Sequence, residues 1–240
     1  MAAFKVLSTK KLEAALLHQA EANDIALSEV EFIATRPVLS KEKWNEISEV
    51  LESKLRYAVF TSANAVEAVK KYLHEYVSME SPEWLIFCIS GKTRATIEQA
   101  KVDFGTVIHT AEYGMELAEK IIDHGVKELV FFCGNLRREE PLQCMRSAGI
   151  VVREIIVYET ELSPSLIEES FDAVLFFSPS AVQSFFSMNH IDNATTCFAI
   201  GETTADAIRQ FTTNEVIVSP YPDQQTLMQQ LFDHQKKHKQ

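Results

Sequence analysis

Short apolar runs alternate with helix-period segments almost from one end of the chain to the other. Most runs are continuous and rich in Val, Ile and Phe, as in YAVFT at 57–61 and ELVFFC at 128–133. Continuous runs of this length are typical of strands that are buried on both faces of a parallel sheet. Segments with helical spacing, such as AVEAVKKYL at 65–73, lie between them. The alternation predicts an α/β fold with parallel sheets.

The apolar runs predict ten strands, which could form one wide sheet or two smaller ones. They cover residues 4–8, 30–34, 57–61, 85–90, 105–109, 128–133, 151–158, 172–177, 196–200 and 215–219. An internal repeat favours two sheets, because a repeated order of elements indicates repeated structural units.

The repeat consists of two kinds of turn that each occur once in both halves of the chain. SANAV at 62–66 is similar to SPSAV at 178–182, and GKTRA at 91–95 is similar to GETTA at 201–205. Both copies have the order strand, serine turn, helix, strand, G-x-T-x-A turn, helix, strand, helix. We therefore expect two similar α/β units, with crossings between them near the turn-prone segments 34–44 and 158–165.

The composition restricts the classes of partner. A formal net charge of −11 over 240 residues disfavours nucleic acid, because such binding depends on Lys and Arg that neutralise phosphates. No apolar run approaches the roughly 20 residues that span a bilayer, and the N-terminus lacks the features of a signal peptide. The four cysteines show no C-x-x-C pair, which indicates reduced thiols in a cytoplasmic protein rather than a disulfide or zinc framework.

The repeated turns are candidates for a binding site, since ligands of parallel α/β sheets bind outside the carboxyl ends of the strands. Ser62 and Ser178 could each cap the following helix through a backbone N–H, and Pro179 suits the first helical position. Capping alone would explain both serines. Two matched sets of turns also suggest a cleft in which helix N-termini bind an anion.

Two further turns are candidates for anion binding. SGKT at 90–93 lacks the first glycine of a P-loop, and no G-x-G-x-x-G motif is present, but its N–H groups could still bind an anion. In FFCGNLRREE at 131–140, Arg137 and Arg138 stand where a helix is expected to begin. Positive charge there opposes the helix dipole, so an anionic partner, the nearby Glu139 and Glu140, or a solvated face would explain these arginines.

Catalytic constellations are scarce. The seven histidines show no metal-ligand spacing, and no serine lies in a G-x-S-x-G context. An enzyme with this sequence would therefore work by binding and orienting a reactive substrate.

Taken together, VFTSANAV, GKTRA, FFCGNLRREE, VYET, FFSPSAV and AIGETTADAI resemble the uroporphyrinogen-III synthase family in order and spacing. The opening VLSTKK at 6–11 extends the resemblance over nearly the whole chain. The resemblance implies two flavodoxin-like α/β domains, each with a five-stranded parallel sheet, joined by two extended connectors. It assigns residues 1–35 and 160–240 to one domain and residues 37–157 to the other.

The resemblance also implies an activity. The family closes hydroxymethylbilane into uroporphyrinogen III with inversion of the terminal pyrrole ring and loss of water, in haem biosynthesis, without a cofactor. Tyr158 matches the family tyrosine that is proposed to assist loss of the hydroxyl as an acid, although a tyrosine that ends a strand could equally serve packing. The residues expected to bind substrate are Thr9, Lys10, Ser62, Asn64, Thr93, Arg94, Gly134, Asn135, Arg137, Ser178, Ser180, Thr203 and Thr204.

Two sheets with no obvious exposed apolar patch suggest a monomer, and the charge and the apolar runs predict a partner that is neither nucleic acid nor membrane. The resemblance implies that the substrate hydroxymethylbilane is received from the upstream bilane-forming enzyme. Two positions depart from the family pattern. Lys10 stands where an arginine is common, and Glu202 places a carboxylate in the second G-x-T-x-A turn. Both departures keep an alternative open, in which the chain is a non-catalytic two-domain module that binds an anion or a tetrapyrrole.

Overall fold

The computed structural model of the protein describes residues 4–38, 40–53, 55–75, 82–100 and 105–238. Within these residues the strands are β1 (Phe4–Ser8), β2 (Ile25–Glu29), β3 (Ile33–Pro37), β4 (Tyr57–Phe60), β5 (Trp84–Ile89), β6 (Gly105–Ala111), β7 (Glu128–Gly134), β8 (Val151–Leu162), β9 (Ala173–Phe176), β10 (Thr196–Ala199) and β11 (Val216–Val218). The helices are α1 (Ala14–Ala22), α2 (Lys41–Glu52), α3 (Ala63–Glu75), α4 (Lys92–Glu98), α5 (Gly114–Asp123), α6 (Glu140–Ser147), α7 (Pro179–Phe186), α8 (Glu202–Arg209) and α9 (Gln224–His238).

The chain divides into two compact units, each of which contains one sheet. Unit 1 comprises Met1–Ala34 and Glu161–Gln240, and unit 2 comprises Thr35–Thr160. The chain therefore passes between the units within β3 and again within β8, both of which are extended. Among the residues described, no helix has the length and apolar composition that a membrane-spanning helix needs.

Sheet A, in unit 1, has five strands in the order β11-β10-β9-β1-β2, and its neighbouring strands pair in parallel. Numbered along the chain, this is the flavodoxin order 2-1-3-4-5. Helices α1 and α9 contribute to the apolar cluster that contains Val6, and α7 and α8 contribute to the cluster that contains Leu7. Successive strand residues point to opposite faces, so helices cover the sheet on both sides.

Sheet B, in unit 2, has six strands in the order β3-β8-β7-β4-β5-β6. The pairs among β4 to β8 are parallel. Helices α2, α3 and α4 pack with Phe60, and α5 and α6 pack with Val59 on the opposite face. The predicted α/β fold with parallel sheets is confirmed, but sheet B has one strand more than expected because the connector strand β3 pairs with β8.

The two sheets have the same layout although their strands follow a different order along the chain. β11, β10, β9, β1 and β2 of sheet A correspond in position to β6, β5, β4, β7 and β8 of sheet B. The pair β1–β2 precedes the repeated segment in unit 1, whereas β7–β8 follow it in unit 2. The units are thus circular permutations of one arrangement, and this explains why only part of the chain shows a sequence repeat.

The strand predicted at 30–34 overlaps β3 at residues 33 and 34 only and misses the sheet A strand β2. Sheet A uses β2 at Ile25–Glu29 instead, and residues 30–32 lie between β2 and β3. β2 is an edge strand with a mostly exposed surface and the sequence IALSE, so it lacks the continuous apolar run that marks central strands. The other nine predicted strands each overlap a strand of the structure.

Candidate active site

The carboxyl ends of the strands in unit 1 carry six of the predicted substrate-binding residues. The switch point of sheet A, where the connections diverge to opposite sides, lies between β1 and β9. These strands lead into Thr9–Lys10 and Ser178–Ser180, and the neighbouring β10 leads into the turn that holds Thr203 and Thr204. The structure therefore brings these residues to one edge of unit 1.

The corresponding switch point of sheet B lies between β4 and β7. β4 leads into Ser62 and Asn64, and β7 ends at Gly134, followed by Asn135 and Arg137. Thr93 and Arg94 follow β5 on one side, and Tyr158 lies in β8 on the other. Open α/β sheets bind ligands at such a point, so unit 2 presents a second candidate surface.

Ser62 and Ser178 both cap helices, as the sequence predicts. The Ser62 hydroxyl oxygen accepts a hydrogen bond from the backbone N–H of Asn64 at 3.2 Å, at the start of α3. The Ser178 hydroxyl oxygen accepts from the N–H of Ala181 at 3.1 Å, at the start of α7. Capping orders the first turn and leaves the remaining N–H groups directed away from the helix.

The two G-x-T-x-A turns begin helices at the same position but bury different threonines. Gly91 and Gly201 are the N-cap residues of α4 and α8. α4 buries Thr93, whereas α8 buries Thr204 and leaves Thr203 exposed. The shift by one position corresponds to a rotation of roughly 100° about the helix axis. Thr93 and Thr203 occupy the same position in the sequence motif, but they differ in burial. The buried counterpart of Thr93 is Thr204.

Two charged residues of these turns pair within their own helices. The Arg94 guanidinium donates to the Glu98 carboxylate at 2.7 Å. This hydrogen bond is the main reason that the pKa of Arg94 is raised. The Glu202 carboxylate lies 3.4 Å from the guanidinium of Arg209. Arg209 also contacts Asp206, at 2.9 Å, so one guanidinium serves two carboxylates and the argument of Glu202 against an anionic substrate remains.

Arg137 belongs to an ion-pair network that includes Glu139, one of the partners that the sequence suggested, and Glu154, which the motifs did not predict. Helix α6 begins at Glu140, so the arginine lies in the loop before the helix and not at its first turn. Its guanidinium contacts the Glu154 carboxylate, and it lies 3.1 Å from Glu139. Glu154 also contacts Arg146. The Glu154 side chain is only 16% exposed. The only sequence feature that indicated an ion pair at this position was the adjacent arginine and glutamate inside the apolar run VVREIIVY.

Tyr158 lies beside Gly134 in the pairing of β7 with β8. A β-bulge between Cys133 and Gly134 places Tyr158, and not Val157, opposite the glycine. A Cβ atom at position 134 would overlap the tyrosine ring and lie 2.8 Å from its hydroxyl oxygen. Glycine is therefore the residue that allows the ring to lie over β7. The ring also packs partly against the apolar cluster, so the packing role predicted for it is confirmed.

The backbone after Tyr158 is fixed by the Asn135 side chain. Its amide oxygen accepts from the N–H of Thr160 at 2.8 Å, and its amide nitrogen donates to the Thr160 carbonyl at 3.3 Å. Burial raises the pKa of Tyr158, and a hydrogen bond with the Ser62 side chain acts in the opposite direction. The phenol thus remains protonated at neutral pH and can donate a proton.

A cavity of about 610 Å³ in unit 2 opens beside Tyr158. Its walls include Thr35 and Pro37 of β3 and the α3 residues Asn64, Lys71 and His74. The volume is within the range of small-molecule sites. The sequence motifs identified Asn64 and Tyr158 but not the charged residues of α3, where Lys71 pairs with Glu75, because alternating charges on a helix also fit a solvated face.

Thr9 and Lys10 have local partners in unit 1. The Thr9 hydroxyl, which is buried, donates to the Leu175 carbonyl at 2.8 Å. The Lys10 ammonium lies 5.9 Å from the centre of the Phe177 ring. Thr9 therefore ties β1 to β9 at the switch point, while Lys10 remains exposed there.

The sequence and the fold both match known proteins. A sequence model described as uroporphyrinogen-III synthase HemD matches residues 14–229. A mutant uroporphyrinogen III synthase from the extremely thermophilic bacterium Thermus thermophilus, solved as a selenomethionine derivative, is similar over 98% of this chain and 100% of its own, with 14% identity and a TM-score of 0.69. The Helicobacter pylori uroporphyrinogen-III synthetase is similar over 96% and 99%, with 14% identity and a TM-score of 0.68.

No curated protein sequence matches the chain significantly. At 14% identity the solved structures establish the fold alone. The family assignment rests instead on the sequence model, which spans most of the chain and takes in every predicted site residue except Thr9 and Lys10. It confirms the resemblance inferred from the motifs: the chain belongs to the uroporphyrinogen-III synthase HemD family.

Proposed function

We propose that this protein is a uroporphyrinogen-III synthase, a cyclising hydro-lyase of haem biosynthesis. It converts hydroxymethylbilane into uroporphyrinogen III with inversion of the terminal pyrrole ring and loss of water. The observation that carries the proposal is the family match over residues 14–229. The protonated, partly buried phenol of Tyr158 beside a cavity gives the proposal its chemistry.

Tyr158 acts as the acid that starts the reaction. Its hydroxyl donates a proton to the departing hydroxyl of the substrate, which leaves as water and generates an electrophilic azafulvene. The substituted carbon of the terminal ring attacks this azafulvene, which is still protonated on its nitrogen, and forms a spiro intermediate. The original bond between that ring carbon and its bridging carbon then breaks, which regenerates a protonated azafulvene on the neighbouring ring. Its bridging carbon bonds to the free α-carbon of the terminal ring, and that carbon then loses its proton. The phenolate can accept that proton, so one group serves both proton transfers and the tyrosine is regenerated.

Binding holds the flexible substrate in a conformation that favours attack from the substituted carbon of the terminal ring. We propose that its carboxylates bind at the turns that follow the strands of each unit, through exposed residues such as Lys10, Asn64 and Thr203, while the buried Thr9, Thr93 and Thr204 hold those turns in place. The set is Thr9, Lys10, Ser62, Asn64, Thr93, Arg94, Gly134, Asn135, Arg137, Ser178, Ser180, Thr203 and Thr204. Arg94 and Arg137 already contact Glu98 and Glu154, so each guanidinium must share or exchange its carboxylate partner when it binds the substrate.

The test is to supply the purified protein with hydroxymethylbilane generated in situ and to separate the oxidised uroporphyrin isomers. Without catalysis the substrate closes without inversion and gives isomer I. We expect isomer III with the wild-type protein and at least about a 100-fold lower rate with Tyr158→Phe, because general acids contribute on this order. Isomer I alone from folded protein would refute the synthase and would favour the non-catalytic binding module.

We further propose that the protein works as a cytoplasmic monomer and receives its substrate from the bilane-forming enzyme. Four free cysteines, three of them buried, support a reducing compartment. Direct transfer would shorten the time in which free hydroxymethylbilane can close to isomer I. Light scattering after size exclusion tests the monomer. We also retain the domain assignment, residues 1–35 with 160–240 and residues 37–157, as a prediction. Expression of residues 37–157 alone, which should fold as a domain, would test it.

A further inference from the structure

Gly134 and Tyr158 lie side by side on neighbouring strands of sheet B, and Ser62 follows the end of the next strand, β4. Phe60, the last residue of β4, is paired with Phe132 of β7, and Gly134 ends β7 two residues later, so Ser62 and Gly134 leave their strands at the same end of the sheet. Gly134 is in turn paired with Tyr158 of β8. The order of strands is β8-β7-β4, which places the glycine between the serine and the tyrosine.

Gly134 has no side chain, and this leaves room for the Tyr158 ring to lie between β8 and Ser62. Strands lie roughly 4.8 Å apart, so β8 and β4 are separated by roughly 10 Å, and a tyrosine side chain covers much of that distance. A Cβ atom at position 134 would overlap the ring and lie 2.8 Å from the hydroxyl oxygen of Tyr158. The phenol therefore extends over β7 toward β4, where Ser62 stands at the start of α3.

The hydrogen-bonding role of the Ser62 hydroxyl is defined by the helix cap. Its oxygen accepts a hydrogen bond from the backbone N–H of Asn64 at 3.2 Å, so its proton is available to another acceptor. Burial raises the pKa of the Tyr158 phenol, and a hydrogen bond with the Ser62 side chain lowers it. Because the Ser62 oxygen already accepts from Asn64, the serine proton is the group that can reach the phenol oxygen.

We propose that Ser62 is a positioning residue: its hydroxyl donates to the Tyr158 oxygen across Gly134 and thereby directs the proton of Tyr158 away from β4, toward the cavity. The cap on α3 and the orientation of the acid are then two effects of one serine. The effect of this orientation on catalysis rests on the proposed function, in which Tyr158 is the acid. The hydrogen bond between Ser62 and Tyr158 does not depend on that function.

The first test is a titration that needs no substrate. Tyrosines labelled with ¹³C at the ring carbon that bears the hydroxyl report ionisation by NMR, and the Tyr158→Phe variant identifies the resonance among the six tyrosines. Ser62→Ala removes the donor and is expected to raise the pKa of Tyr158. Ser62→Thr keeps the hydroxyl and should leave the titration unchanged. An unchanged or lowered pKa in Ser62→Ala would overturn the proposal, because Tyr158 would then not receive a hydrogen bond from Ser62.

A cap control separates the two effects of Ser62. Ser40 caps α2 in the same unit, where its hydroxyl oxygen accepts from the N–H of Lys43 at 3.1 Å. Ser40→Ala should lower the melting temperature by an amount similar to Ser62→Ala but leave the titration of Tyr158 unchanged. A shift of equal size in both variants would attribute the effect to helix fraying and refute the proposal.

The second test measures turnover. Ser62→Ala is expected to lower kcat about 10-fold with a smaller change in KM, since one hydrogen bond to a developing charge is lost. Ser62→Thr should retain most of the rate, and Ser40→Ala all of it. An unchanged kcat in Ser62→Ala would remove the positioning role. If Tyr158→Phe alone keeps full activity while the titration shifts as expected, the role of Tyr158 as an acid fails and the hydrogen bond stands.

Discussion

Three thiols buried in the apolar clusters of both sheets predict a loss of stability at alkaline pH. Burial raises the pKa of Cys88 from 9.0 to about 11, and those of Cys133 and Cys197 from 9.0 to about 12. The side chains are 0–2% exposed. The unfolded chain therefore loses these protons at a lower pH than the folded protein. The stability contributed by the neutral thiols is complete below about pH 9 and is lost as the pH rises toward 11–12.

The size of the effect follows from the shift of each pKa. One unit corresponds to about 1.4 kcal/mol, so at pH 10 each thiol weakens the folded state by about 1 kcal/mol after allowance for solvent screening. The three thiols together cost about 3 kcal/mol, a large part of the roughly 5–15 kcal/mol of a typical domain. Other groups also titrate near pH 10, so each thiol must be isolated by substitution.

Urea unfolding, followed by far-ultraviolet circular dichroism in a non-thiol reductant at pH 8 and pH 10, measures the effect in both units. Each of Cys88→Ala, Cys133→Ala and Cys197→Ala should be less stable than the wild type at pH 8, and this deficit should shrink by about 1 kcal/mol at pH 10. Val182→Ala, which truncates a fully buried side chain without a titrating group, should show the same deficit at both pH values. Equal deficits for the cysteine variants at both pH values would refute the reasoning.

Three other substitutions test individual contacts, each by the free energy of urea unfolding. Ser178→Ala should cost about 1 kcal/mol because α7 loses its cap, while Ser178→Asp, which can also cap, should recover most of it; equal losses would contradict the cap. Glu154→Gln should cost about 1–2 kcal/mol because Arg137 and Arg146 lose their shared partner, and a stability equal to the wild type would contradict the network. Gly105→Ala should cost about 2–4 kcal/mol, since φ is 105° and the new Cβ would overlap the backbone of Trp84; a loss below about 1 kcal/mol would show that β6 can shift.

The sequence predicted best the elements that are marked by neighbouring residues in the chain, such as a continuous apolar run or a capping serine. Central strands such as β7 are continuous apolar runs, and Ser62 and Ser178 cap helices as their position suggested. β2 was placed wrongly because an exposed edge strand needs no such run. The sixth strand of sheet B was also missed, because nothing in the connector sequence specifies which strand it pairs with.

The arrangement of the candidate site depends on the register between strands, which a periodic pattern does not encode. Tyr158 lies opposite Gly134, and its ring extends over β7 toward Ser62, because a bulge shifts the pairing of β7 with β8 by one residue. The burial of Thr204 in place of Thr203 arises from the rotation of one helix relative to another. The motifs therefore identified the turns, whereas their contacts required the tertiary structure.

The position of β1 within sheet A has a consequence for how the protein is made. β1 lies between β9 and β2, and Val6 is paired with Ala173. The sheet cannot be completed until the ribosome has released the segment after Glu161, whereas every strand of unit 2 precedes Glu161 or ends just beyond it. The long loop that must close before β1 pairs with β9 slows this step. Unit 1 therefore folds last, and the edge of β1 that pairs with β9 waits unpaired during synthesis, exposed to aggregation and to chaperones.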